Sequence, residues 1–217
     1  MESFMTEKEL MLSEKLYLAN DEELTTGRTR SRQLTRLFNN TTEEQNEYRV
    51  QLLKKLFKKT GDNIYIEPPF RCDYGSNITV GENFYANFDC IILDVNEVII
   101  GDNVLFAPRV CVYTAGHPVD ADIRNSGVEF GKKVIIGNNV WIGGSTVINP
   151  GVTIGANTVI GSGSVVTKDI PEGVVAVGNP CRVIRKITDE DRQFWVKQVE
   201  ERKRLLNKDI KISDTKI

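Results

Sequence analysis

The sequence predicts a mainly β fold, a three-sided parallel β-helix with helices at both ends, and three observations carry that prediction. An aliphatic residue recurs every six positions through the second half of the chain. Small or polar residues, glycine above all, follow those aliphatic positions. Helix-start signals and 3.6-residue apolar spacing fall outside this region, in residues 6–60 and 189–206.

From the N-terminus, residues 1–61 read as a helical segment. Thr6 with Glu9 and Thr42 with Gln45 have the spacing of capping boxes, in which each side chain satisfies a free N–H of the first helical turn. Val50, Leu53 and Phe57 share one helical face, and Gly61 is the expected stop. Arg28, Arg32 and Arg36 also share a face, read as a solvated stripe in preference to a partner contact.

The β-helix is expected over residues 62–187. Its early coils are weakly marked by Val80-Gly81, Ala86-Asn87 and Ile92-Leu93, with a two-residue slip near Glu97, and then by Ile100-Gly101, Phe106-Ala107 and Val112-Tyr113. Residues 118–133 contain no hexad and are rich in Asp, Asn and Pro, so they predict an inserted loop on one side of the solenoid. Six consecutive hexads then run from Ile136 to Pro171. Residues 188–217 predict a C-terminal helix containing Trp195, with the last ten residues frayed.

A period of six fits neither a helix nor a hairpin sheet. It fits a short strand and a corner on each side of a triangular prism, with the aliphatic residue and the small residue four positions later pointing inward. Strands of successive coils then stack in parallel about 4.8 Å apart and satisfy one another's main-chain groups. Glycine after the aliphatic residue is expected to supply a positive φ at each corner.

Composition narrows the function. With 28 Lys and Arg against 30 Asp and Glu the net charge is -2, without the basic excess of a nucleic-acid binder. No apolar run approaches a membrane span and residues 1–20 lack a signal-peptide core, so a cytoplasmic protein is expected. Cys72, Cys90, Cys111 and Cys181 are scattered and read as small core residues, and with a single histidine no metal site is expected.

Five segments resemble the maltose and galactoside O-acetyltransferases: Pro68–Gly75, Asn83–Phe88, Gly116-His117-Pro118, Val140–Gly144 and Gly178–Arg185. The resemblance runs from Met5 to about Lys186. It implies a left-handed β-helix assembled as a homotrimer, acetyl-CoA as co-substrate in clefts between prisms, and direct transfer of acetyl to a sugar hydroxyl. It also places the candidate site residues. His117 becomes the catalytic general base, suited to neutral pH by its chemistry. Gly144 offers a main-chain N–H to the carbonyl oxygen as charge develops there. Asn87 lies at the reacting end of the cleft, toward both donor and acceptor, and Asp73 and Asp94 are implied to contact the sugar. Ser162, Thr167, Lys168, Arg182 and Arg185 match cofactor positions, the cations suiting phosphate. Trp141 reads as a wall of the subunit or cofactor interface.

Ala19, Asp73 and Val95 depart from the galactoside pattern, so glucose or maltose is the expected acceptor. A galactoside or antibiotic acceptor on the same prism is the alternative reading. A carbonic anhydrase needs three imidazoles around zinc, which only three copies of His117 on a trimer axis could supply.

Overall fold

A computed structural model of the chain describes residues 4–206. Three helices open it: α1 (Glu7–Leu12), α2 (Glu22–Asn39) and α3 (Asn46–Leu56), with the short strand β1 (Tyr17–Leu18) between the first two. The Thr6–Glu9 capping box is complete, with both reciprocal hydrogen bonds formed. The Thr42–Gln45 pair forms only one, Thr42 N–H to Gln45 Oε1 at 2.9 Å, and α3 starts three residues further on with no side-chain cap. Nor does Gly61 stop α3. The helix ends at Leu56, where Phe57 turns extended and buries its ring at 5.7 Å from Phe70, drawing the chain onto the first coil.

The solenoid has three faces, taken here in chain order. The first contains β2 (Ile64–Ile66), β5 (Phe84–Ala86), β8 (Leu105–Phe106), β13 (Trp141–Ile142), β16 (Val159–Ile160) and β18 (Val174–Val177). The second contains β3 (Arg71–Cys72), β6 (Ile91–Leu93), β9 (Cys111–Tyr113), β14 (Val147–Ile148) and β17 (Val165–Val166). The third contains β4 (Ile78–Val80), β7 (Val98–Ile100), β12 (Val134–Ile136) and β15 (Thr153–Ile154). Within each face successive strands are parallel. A final strand, β19 (Arg182–Lys186), turns back antiparallel on β18 and leads into α5 (Asp189–Leu206). The last ten residues, expected to be frayed, lie outside the described residues. Among the described residues no helix is long and apolar enough to cross a membrane.

The inward set follows the hexad. Val140, Ile142, Ile148, Val152, Ile154 and Ile160 are buried, and so are the small polar residues Thr146, Thr158 and Ser164 at the alternate inward positions. Their hydroxyls donate to the carbonyls of Gly161, Pro171 and Gly161 respectively, so a prism too narrow for three large side chains at every level keeps its polar atoms paired.

The glycines act differently from the expectation. Gly81, Gly101, Gly137, Gly143, Gly155 and Gly161 do not have positive φ. The left-handed residue falls two positions later, at Asn83, Asn103, Asn139, Ser145 and Asn157. Glycine is required by the stacking of coils: a Cβ on Gly137 would lie 2.6 Å from the main-chain N of Ala156 in the next coil. The left-handed asparagines Asn83, Asn103, Asn139 and Asn157 in turn form a ladder along the corner between the third and first faces, begun by Asn63, with links of 2.7, 2.8, 3.0 and 2.9 Å from Asn63 onward.

Coil length is not uniform. Trp141 pairs with Val159 and Val147 with Val165, steps of 18 residues. Ile64 pairs with Phe84, Arg71 with Ile91 and Ile78 with Val98, steps of 20. The additional two residues always fall between the second and third faces, first at Asp73–Asn77 and again at Asp94–Glu97. The single slip read near Glu97 is therefore one of two. On the next coil the same corner takes the long insertion, which holds β10 (Ala115–Gly116), α4 (Ala121–Asn125) and β11 (Val128–Gly131). β11 pairs antiparallel with both β10 and β1, tying the insertion to the N-terminal segment.

Candidate active site

The candidate residues separate onto two corners of the prism. The corner between the second and third faces is the expanded one, and it carries Asp73, Asp94 and the insertion with His117. Asp94 has no exposed surface. Its carboxylate accepts from the N–H groups of Asp73, Tyr74 and Asn77 at 3.0, 2.9 and 3.2 Å, and the Asn77 side chain returns a 2.7 Å bond to the Asp94 carbonyl. Burial pushes the Asp94 carboxyl up to about 7 against these donors, which favour the charged form. With its oxygens turned into the turn before it, Asp94 has no surface for a sugar. The direct contact expected of it gives way to holding Asp73 in place.

Asp73 is half-buried on that turn, and its carboxylate makes no hydrogen bond among the described residues. Burial raises its pKa, and the Arg28 guanidinium opposes the rise. Arg28 is no member of a solvated stripe: it donates to the Tyr74 hydroxyl at 2.7 Å and to the Ala19 carbonyl at 2.5 Å, and only Arg32 and Arg36 stay exposed. Beside it the Tyr17 hydroxyl donates to Glu129 Oε2 at 2.9 Å, joining β1 to β11. Tyr17, Tyr74 and Glu129 were not legible as site residues. They are 112 and 55 positions apart in sequence (Tyr17 to Glu129, Tyr74 to Glu129), and no local pattern links them.

His117 follows β10, whose Gly116 pairs with Phe130 next to Glu129. Its side chain is exposed and has no partner among the described residues. Both Gly116 and His117 thus sit on the same corner as Asp73, two coils further along.

The corner between the first and second faces is tight, with a step of six at every coil. It stacks two adjacent columns, Asn87 with Ala107, Gly143 and Gly161, and Phe88 with Pro108, Gly144 and Ser162. Gly163 N–H donates to the Gly144 carbonyl and Ser145 N–H to the Pro108 carbonyl, at 2.8 and 2.9 Å, whereas the Gly144 N–H has no acceptor among the described residues. The Asn87 Oδ1 accepts from Phe88 N–H at 2.8 Å, which fixes its side chain at the top of its column. Val95, one of the departures from the galactoside pattern, is buried in a small cluster with Met11, Tyr17, Leu24 and Tyr74.

The remaining cofactor candidates lie at the far end. Lys168 and Arg182 line a surface pocket of 380 Å³ with Asp169, Ile170, Cys181 and Val183, and neither cation makes an ion pair among the described residues. Thr167 is exposed beside them. Arg185 is on the other side of β19, already held by Asp191 through two bonds of 2.7 and 2.9 Å. An unpaired N–H beside a glycine column and two free cations beyond it suit a thioester donor bearing phosphates. Among the described residues no three His, Cys, Asp or Glu side chains gather as a metal set.

Comparison with known proteins gives the family. Residues 10–61 match the family model described as the maltose acetyltransferase hexapeptide capping motif, and residues 133–168 match the bacterial transferase hexapeptide model of six repeats. The galactoside O-acetyltransferase of Escherichia coli is 49% identical over 84% of this chain and 90% of its own length. The solved structure of a maltose O-acetyltransferase from Clostridium difficile is 61% identical with a TM-score of 0.85, over 86% of this chain and the whole of that one. A galactoside acetyltransferase solved in complex with coenzyme A is 49% identical, also with a TM-score of 0.85, over 87% of this chain and 94% of that one. By these matches the chain belongs to the maltose and galactoside O-acetyltransferase family of hexapeptide-repeat acetyltransferases and is an enzyme of that type.

Proposed function

We propose that the enzyme transfers acetyl from acetyl-CoA directly to a sugar hydroxyl, with glucose or maltose as the acceptor and His117 as general base. The carrying observation is the division of labour between the corners: an exposed imidazole and a half-buried carboxylate along one, and an unpaired main-chain N–H beside a glycine column on the other. Acetyl-CoA supplies the activated acyl group. Asp73, with a carboxylate free of internal bonds, accepts a hydroxyl of the sugar. His117 takes the proton of the reacting hydroxyl as the new C–O bond forms, and returns it to the sulfur as the C–S bond breaks. The Gly144 N–H meets the negative charge that develops on the carbonyl oxygen. Asn87 orients the reacting ends at the head of the column, Ser162 and Thr167 bind along the donor, and Lys168, Arg182 and Arg185 serve its phosphate end.

Within one chain the two corners are separated by the second face, a span on the order of 15 Å at a strand's rise per residue. His117 and Gly144 therefore meet across two copies, and a homotrimer closes three such clefts. Tyr65, Leu105 and Phe88, large apolar side chains exposed on the first face and its corner, support an interface there. The donor is an intracellular metabolite, so the proposal places the enzyme in the cytoplasm.

The test is acceptor profiling with acetyl-CoA. Glucose or maltose should be acetylated with higher kcat/KM than a β-galactoside. With Ala19 and the buried Val95 at the two other departures, discrimination rests on hydroxyl bonds at Asp73. A preference for galactoside, or faster acetylation of an antibiotic such as chloramphenicol, overturns the acceptor. Absence of any acetyl transfer overturns the whole reading.

A further inference from the structure

Helix α5 has no buried residue, although it carries Phe194, Trp195, Val196 and Val199. The Clostridium difficile structure is matched over its full length by 86% of this chain, and the family resemblance ends at about Lys186, so α5 is an addition to the shared fold. It lies along the outer side of the first face. Asp191, Trp195 and Val199, spaced four apart, turn one stripe of the helix toward that face. Between them is a groove of 520 Å³ whose floor is Trp141, Val159 and Val175, the outward residues of β13, β16 and β18, and whose far wall is Trp195, Val196 and Val199. Two indole side chains, 52% and 65% exposed, thus border one open apolar slot of a size ordinary for small ligands.

Position and chemistry narrow the occupant. Trp141 and Val159 stand just ahead of Gly144 and Ser162 in the chain, so the slot opens beside the donor column. Aliphatic and indole surface makes up most of its lining, with Arg185, Asp191 and Arg192 along one side, a poor match for a sugar, which belongs to the opposite corner. Asp191 is bound bidentately to Arg185 at the rim of the slot, so the charges of that pair offset each other. The free cations that suit phosphate, Lys168 and Arg182, are across β19 in the neighbouring pocket. A flat, uncharged aromatic ring joined to phosphates matches this pair of pockets.

Resting on the acetyl-CoA reading above, we infer that α5 forms a purine-binding wall for the donor. The adenine ring stacks in the slot between Trp141 and Trp195, while its phosphates reach Lys168 and Arg182. Stacking of a base on an aromatic side chain is sequence-tolerant and survives partial exposure to water.

Isothermal titration of the whole protein with CoA, adenosine 3′,5′-bisphosphate and pantetheine tests this. Trp195→Ala should weaken CoA and the bisphosphate by about 5- to 20-fold, the low end for an open stacking site, and leave pantetheine unchanged. Trp195→Phe should restore most of the loss. Equal weakening of pantetheine, or CoA binding that Trp195→Ala leaves intact, overturns the purine wall while the acetyl-CoA reading stands. A wild-type protein that binds none of the three probes overturns both.

Discussion

Two corners of one prism flank the same face and are built on opposite principles. The corner of Gly144 and Ser162 advances by six residues per side, and its coils approach so closely that a single Cβ on Gly143 would overlap the main-chain N of Ser162. The corner of Asp73 and Asp94 is lengthened on three successive coils, and Asp94 fills the widened turn with hydrogen bonds to three N–H groups. A regular corner can present only main-chain groups and small side chains in fixed register, which suits a long donor with one carbonyl to be met. Added residues at the other corner release polar side chains from the repeat, which suits recognition of an acceptor. The tight corner tolerates no added atom and the wide corner no removed acceptor.

The largest effect should come from the wide corner's loop. His117→Ala is expected to lower kcat by about 10² to 10⁴-fold, with CoA affinity by titration unchanged, since the proposal puts His117 on the acceptor side. An unaltered kcat would leave the loop a structural decoration.

Next is the staple beneath it. Asp94→Ala leaves three N–H groups without an acceptor in a dry turn and should cost about 3 to 5 kcal/mol of stability, at roughly 1 to 3 kcal/mol for each such group with partial relaxation. The denaturation midpoint reports it, with Asp94→Asn intermediate because one carboxamide oxygen remains. A midpoint unchanged in Asp94→Ala would mean that the turn is held by other contacts.

The smallest effect belongs to the tight corner. Gly143→Ala forces one methyl against the next coil and should cost about 1 to 3 kcal/mol, together with a raised KM for acetyl-CoA as the neighbouring Gly144 N–H is displaced. A stability equal to wild type would show that the coils can separate locally, and would remove the steric reason for glycine at this position.

How much of this was legible follows from the range of each interaction. The hexads from Ile136 onward are local and repeated, so fold, inward positions and insertion were readable. The Thr6–Glu9 capping box spans three residues and formed as read, whereas Thr42 with Gln45 has the same spacing but the helix begins past it. The role of the glycines was misread because a positive φ is a property of one residue, while the real cause, the backbone of a coil 18 residues away, appears only when coils stack. Arg28 likewise looked like part of a charged stripe until Tyr74 arrived beside it from the first coil.

By itself the sequence determined the repeating unit, because a six-residue alternation of inward aliphatic and small residues has one economical way to bury its apolar side and pair its backbone. It also determined which residues carry usable chemistry: a lone histidine, a glycine pair, two carboxylates and a set of cations. Only the tertiary structure decided where these stand. Stacking in parallel register turned two separate two-residue additions and the loop into one corner, buried Asp94 as a staple instead of a sugar ligand, and placed α5 and its tryptophan against the first face. Those outcomes depend on contacts between residues tens of positions apart, which are fixed by the register of coils and left no mark in any local pattern.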